Sequence, residues 1–249
     1  PRALTSKAGC IDAADIEARI RPDDPHQPIT SLVCLENTHN MAGGVVVSPE
    51  KMAPVITAGK KHQLRLHLDG ARLFHAEAAL GIAAADLVAD FDSVSFCLSK
   101  GLSCPVGSML CADQATIAEA HRLRKLLGGG MRQAGIIAAG ALHALEQHRD
   151  RLAEDHNNAQ RLWEGCEACG PLSIRGNRVD TNIVICEVDE DWTTADKLAA
   201  TLEEQGVRCF AIGPQAIRFV THLDVDASQI ESACKIIQRI TNTSATNLT

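Results

Sequence analysis

The sequence predicts an α/β fold with a mostly parallel sheet, and three observations carry that reading. Short apolar runs alternate with stretches of helical periodicity between residues 31 and 98, an order that builds βαβ units with right-handed crossovers. Leu64–Leu68 closes in Asp69-Gly70, and Asp92–Leu98 closes in Ser99-Lys100. A carboxylate and an amine therefore sit at strand ends, on the rim where open α/β sheets carry their sites. After a long helical stretch the alternation resumes, from Thr181 to Ile240. The expected division is a large, partial domain over 1–150 and a small one over 151–249.

In chain order, Asp12–Ile20 reads as a helix with Ile16 and Ile20 on one face and Asp15 in its first turn. Pro22, Pro25 and Pro28 then break the chain into a loop that holds His26. SLVCLEN, at 31–37, reads as a strand and Gly43-Gly44 as a turn. Ser48-Pro49-Glu50 starts a helix that runs from Glu50 to His62. Leu64, Leu66 and Leu68 alternate as in a strand. A helix over 73–80, strands over 93–98 and 108–112, and a helix over 113–127 follow.

Gly128-Gly129-Gly130 interrupts that last helix and frees the backbone for a close approach. From Ala134 to about Cys166 one helical stretch is expected, with apolar positions at Ile137, Leu142, Leu145, Leu152 and Leu162. Thr181–Val188, Val207–Ile212 and Ala216–Thr221 read as strands. Thr193–Gln205 and Asp226–Ile240 read as helices, the first closed by Gly206. Residues after Thr241 are expected to fray.

The 249 residues carry a net charge of −7, no basic block, 3% aromatics and no Tyr. Base stacking and a nucleic-acid partner are therefore not expected. No run of 18 apolar residues predicts a membrane span. No signal or transit peptide is visible, but the chain begins at Pro1 and not Met, so the sequence leaves targeting open; cytoplasmic is the expected location. Of ten cysteines, Cys34, Cys97, Cys111, Cys186 and Cys209 lie in apolar runs, where a free thiol acts as a small hydrophobe. Cys166 and Cys169 form a CxxC without a second pair or finger-spaced His, so no metal is expected and the thiols are read as reduced.

A lysine that closes a buried strand is expected to meet low-dielectric surroundings that disfavour its ammonium form. A neutral amine attacks carbonyls, making Schiff bases with substrate aldehydes or with pyridoxal phosphate (PLP). PLP also needs a carboxylate to keep its pyridine nitrogen protonated. Lys100 and Asp69, 31 residues apart, can supply both. Taken singly, each has a plainer reading: a snorkelling surface lysine and a turn or cap aspartate.

Four blocks in this order change the odds: HLDGARLFHAEAALG from His67, DSVSFCLSKGLSCPVGSML from Asp92, RLRKLLGGGMRQAG from Arg122 and IRFVTHLDV from Ile217. With CLENTHN at 34–40, they resemble the PLP-dependent threonine aldolases, of the aromatic amino-acid β-eliminating lyase/threonine aldolase superfamily. The resemblance runs from about residue 23 to 226. It implies the fold type I, aminotransferase-like architecture, an amino-acid substrate and a homo-oligomer built as a dimer of dimers.

The resemblance also implies roles. Lys100 would bind PLP covalently and Asp69 would face the ring nitrogen. Arg72 and Arg218 would hold the substrate α-carboxylate, with Arg72 and Arg132 also serving the cofactor. His26 would take the proton of the β-hydroxyl group, releasing glycine and acetaldehyde from threonine or allo-threonine. The family's Gly-Thr phosphate loop and its ring-stacking histidine have no counterpart in residues 1–30. The chain thus reads as lacking an upstream part, and poor folding and weak PLP binding are expected of the 249 residues alone. Another PLP reaction on the same fold and a catalytically silent subunit are the alternatives.

Overall fold

A computed structural model describes residues 1–242. The fraying expected after Thr241 falls on 243–249, outside the described residues. The chain forms two compact units: Pro1–His39 with Val46–Leu152, and Asn40–Val45 with the chain from Ala153 onward.

The first unit opens with α1 (Ala13–Glu17), whose N-cap Asp12 accepts the Ala14 amide. It continues through β1 (Leu32–Glu36), α2 (Pro49–Lys61), β2 (Arg65–Asp69), α3 (Leu73–Leu80), the short α4 (Ala84–Leu87), β3 (Ser93–Cys97), β4 (Ser108–Ala112), α5 (Gln114–Leu126) and α6 (Gly135–Gln147). The strands stand in the order β1-β2-β3-β4. β1, β2 and β3 are parallel and β4 is antiparallel to β3. The reversal follows from length: residues 98–107 are fewer than the dozen or so a parallel crossover requires. They instead turn back on themselves, with the Leu98 amide donating to Gly107 O at 3.0 Å.

Side chains alternate across this sheet with period two. Val33, Leu35, Leu66, Leu68 and Val94 enter a core with Val55 and Ile56 of α2 and Leu73 and Ala76 of α3. Leu68 is fully buried, which is worth about 2–3 kcal/mol. The opposite face carries Cys34, Arg65 and Asp69, all exposed. Cys34 and Cys111 therefore do not act as the buried hydrophobes expected. Cys34 lies on that open face and Cys111 on the edge strand β4, whose residues Ser108–Cys111 are exposed.

The single helix expected over 134–166 is two, α6 and α7 (Leu152–Glu167). Tertiary contacts take 148–151 off the helical path. His148 Nδ1 lies 2.7 Å from Leu102 O. The Arg149 guanidinium grips Glu77 at 2.8 Å and stacks 4.8 Å from the Phe74 ring centroid.

The second unit adds β5 (Leu172–Ile174), β6 (Ile183–Val188), α8 (Ala195–Glu204), β7 (Phe210–Gly213), β8 (Ala216–Val220) and α9 (Ala227–Thr241). Its sheet, β5-β6-β8-β7, is antiparallel throughout. Only Pro214-Gln215 separates β7 from β8, which forces a hairpin. Thr194 caps α8, and Asp226 with Gln229 forms a capping box on α9. Leu162, Cys186, Leu198, Leu202, Ile217 and Ile237 fill the core.

His156, on α7, gives this unit an acid sensitivity. Burial pushes its imidazole down to about 4, against a smaller upward pull from the Asp180 carboxylate. The folded state thus favours the neutral ring, and the unfolded state binds the extra proton between pH 6.5 and about 4. Stability is full above pH 6.5 and falls as the pH drops through that window. A shift of this size is worth about 3 kcal/mol at complete burial, and partial exposure reduces it to about 1–2 kcal/mol. Urea unfolding at pH 7 and pH 4.5 should show the loss, and His156→Gln should remove most of it.

Candidate active site

The site is built on the carboxyl ends of β2 and β3. Asp69 pairs with Glu36 on one side and Ser95 on the other. Asp69 Oδ1 accepts the Ala71 amide at 3.1 Å, which ends the strand as an Asx turn. The Gly70 amide donates to Ser95 O at 2.8 Å and knots the two strand ends together. A Cβ on Gly70 would lie 3.0 Å from that same oxygen, so the close approach needs glycine. The Asp69 carboxylate looks onto the open face of the sheet. There it pushes the Cys34 thiol up, behind the larger effect of the thiol's partial desolvation against that exposed face.

Lys100 stands five residues beyond Ser95, in the turn where its carbonyl accepts the Ser103 amide at 2.8 Å. Its side chain is exposed. This corrects the expectation of a buried amine: the last buried residue of the run is Leu98, and the chain turns outward at Ser99. Asp69 and Lys100 thus share one rim through strand register. Arg72, half-buried, is the N-cap residue of α3, three residues past Asp69.

The other predicted residues lie on other elements. His26 is exposed, and both its amide and its Nδ1 engage Asp24, at 2.9 and 3.0 Å. Hydrogen bonds from the His26 amide, the His26 ring and Gln27 hold the Asp24 carboxyl below its usual range. Arg132 is exposed in the glycine corner between α5 and α6. Among the described residues, neither His26 nor Arg132 hydrogen bonds to Asp69 or Lys100.

Arg218 belongs to the second unit, on β8 between the buried Ile217 and Phe219. Its Nη1 donates to Asn40 Oδ1 at 3.0 Å. Its Nε is buried and has no hydrogen-bond partner among the described residues. A buried, charged donor of this kind calls for an anionic partner.

Two neighbours of these residues were not singled out from sequence. Asn40 orients Arg218 from a position 178 residues away, a pairing no local pattern reveals. His67 shares the open face with Asp69, and its ring nitrogens lie 2.8 Å from Ser93 Oγ and 3.5 Å from Ser95 Oγ. The i, i+2 spacing to Asp69 was the available signal.

A family model described as Beta-eliminating lyase matches residues 1–191. The chain belongs to the beta-eliminating lyase family. This is a family of PLP enzymes, and the residue types on the rim fit the cofactor: an amine for its aldehyde and a carboxylate for its ring nitrogen.

Low-specificity L-threonine aldolase 1 of Arabidopsis thaliana is 40% identical over 236 residues, covering 93% of this chain and 65% of that protein. The low specificity L-threonine aldolase of Escherichia coli O157:H7 is 40% identical over 223 residues, covering 89% and 64%. The chain thus spans about two thirds of the length of these relatives. Among solved structures, the threonine aldolase of Leishmania major superposes with a TM-score of 0.78 at 19% identity, covering 96% of this chain and 69% of that one. The fold is fold type I, as expected. No described helix is long and apolar enough to cross a membrane.

Proposed function

We propose that the protein is a PLP-dependent aldehyde-lyase that cleaves threonine and allo-threonine to glycine and acetaldehyde. The observation that carries this reading is the register of Asp69 against Ser95, which sets the carboxylate beside β3, the strand that leads into the Lys100 turn. Relatives named low-specificity L-threonine aldolase support the substrate class. PLP, when bound, supplies an electron sink for the Cα–Cβ bond.

The chain's own residues do the rest. Lys100 would hold the cofactor through its amine, and Asp69 would keep the proton on the ring nitrogen. Arg72 and Arg218 are each candidates to hold the substrate α-carboxylate, as guanidinium forks that match a carboxylate. His26 accepts the β-hydroxyl proton, its ring already oriented by Asp24. Arg132 offers a cation for the phosphate. Product analysis with threonine, serine and a β-substituted alanine tests the reading. Acetaldehyde and glycine in equal amounts from threonine are expected, and keto-acid or ammonia release alone would overturn it.

Arg218→Ala should raise the KM for threonine about a hundredfold, because a planar, charge-assisted fork is worth roughly 3 kcal/mol. Arg218→Lys should recover little of this, since an ammonium cannot bind a carboxylate bidentately. Steady-state kinetics check both. A homo-oligomer is supported by the exposed Leu123, Leu126 and Leu127 of α5 and its end, with Met131, Ile136 and Leu142; a dimer of dimers is the assembly the family resemblance implies. The cytoplasm is the compartment this metabolic role suits.

A further inference from the structure

We propose that His75 is a positioning residue for Lys100, a role that rests on the function proposed above. His75 lies in the first turn of α3, where its amide donates to Arg72 O at 3.0 Å, and it is only 1% exposed. The mechanism outlined above gives this buried imidazole no task.

Its ring lies against Gly101, the residue after the lysine. A Cβ added at Gly101 would collide with His75 Nε2 and sit 2.8 Å from its Cδ2 and 3.1 Å from its Cε1. Gly101 is buried although Lys100 beside it is exposed. The imidazole is therefore the floor on which the lysine turn rests.

The same helix starts from the Asp69-Gly70 knot, with the Leu73 amide donating to Gly70 O at 2.7 Å. The preceding residue, Phe74, packs in one cluster with Leu98 and Leu102, on either side of Lys100. One short helix thus touches the carboxylate loop at its start and the lysine turn through two successive side chains. Through it, His75 fixes the height of Lys100 relative to Asp69. A free amine on a solvated turn has many orientations, and an error of about 1 Å in a reacting group costs on the order of a hundredfold in rate.

The test is a mutant cycle in the full-length protein, with two readouts other than turnover. The first is hydrogen exchange of the Ser103 and Cys104 amides, which bond to Lys100 O and Leu98 O. The second is the fraction of Lys100 that borohydride traps with PLP, read from peptide mass. In trapping, amine and aldehyde lose water to form an imine, and hydride with a solvent proton reduces it to a secondary amine.

His75→Ala should speed exchange at those two amides about tenfold and lower trapping about tenfold. Gly101→Ala should lower trapping similarly. The double variant, whose new methyl occupies the vacated space, should return both readouts to within about twofold of the parent. His75→Asn, a smaller planar side chain, should fall between.

Unchanged exchange in His75→Ala overturns the proposal whatever the cofactor does. Faster exchange with undiminished trapping overturns it too, leaving His75 a packing residue that steadies the turn without placing the amine. A parent protein that traps no PLP at Lys100 defeats the proposed function and the positioning role with it, and that failure is visible before any variant is made.

Discussion

Lys100→Ala, made in the full-length protein, should abolish retained PLP and threonine cleavage together. Cleavage should fall by at least about a thousandfold, as when other covalent catalytic groups are removed. The fold should survive, because only the carbonyl of Lys100 takes part in the 100–103 turn. The side chain is exposed, so stability should change by less than about 0.5 kcal/mol. Loss of the bound-cofactor absorbance, with a melting temperature equal to that of the PLP-free parent, is the expected signature. Undiminished acetaldehyde release would remove Lys100 from the reaction.

The second large effect is expected at Asp69. Asp69→Asn keeps the volume and an oxygen for the Ala71 amide, so the strand-ending turn persists. What it removes is the negative charge. Without it the pyridine nitrogen is not held protonated and the ring draws electrons poorly. The rate constant for cleavage should drop by about 10²- to 10³-fold, the scale of losing one preorganised electrostatic group, while PLP remains attached to Lys100. Asp69→Ala should add instability of about 1 kcal/mol through loss of the turn acceptor. The Cys34 thiol offers an independent readout. With the Asp69 charge gone it should titrate at lower pH and react faster with a disulfide reagent. Full activity in Asp69→Asn would reduce the carboxylate to a turn residue.

Much of the rim was legible before any coordinates. Leu64, Leu66 and Leu68 alternate because one face of β2 is buried, and that alternation alone fixes the strand and places Asp69 on the opposite face at its end. Pro49 and Glu50 announce the start of α2, and Gly206 the end of α8, because backbone geometry and unpaired helix-end groups constrain residue type locally. The break between α6 and α7 was not legible. No proline or glycine marks it, and the grip of Arg149 on Glu77 spans 72 residues. The two-strand turn-back of β4 was hidden in the same way, since periodicity gives a strand but not its direction.

The sequence by itself determined most of the elements, the family and the residue types brought to the strand ends. Each of these is written in short-range pattern: period two or 3.6, a cap, a block of consecutive residues. Only the tertiary structure decided that Lys100 is exposed, that Arg218 leans on Asn40 with a buried Nε, and that His75 lies against Gly101. Burial and contact depend on which distant segments pack together, and no local period encodes that choice.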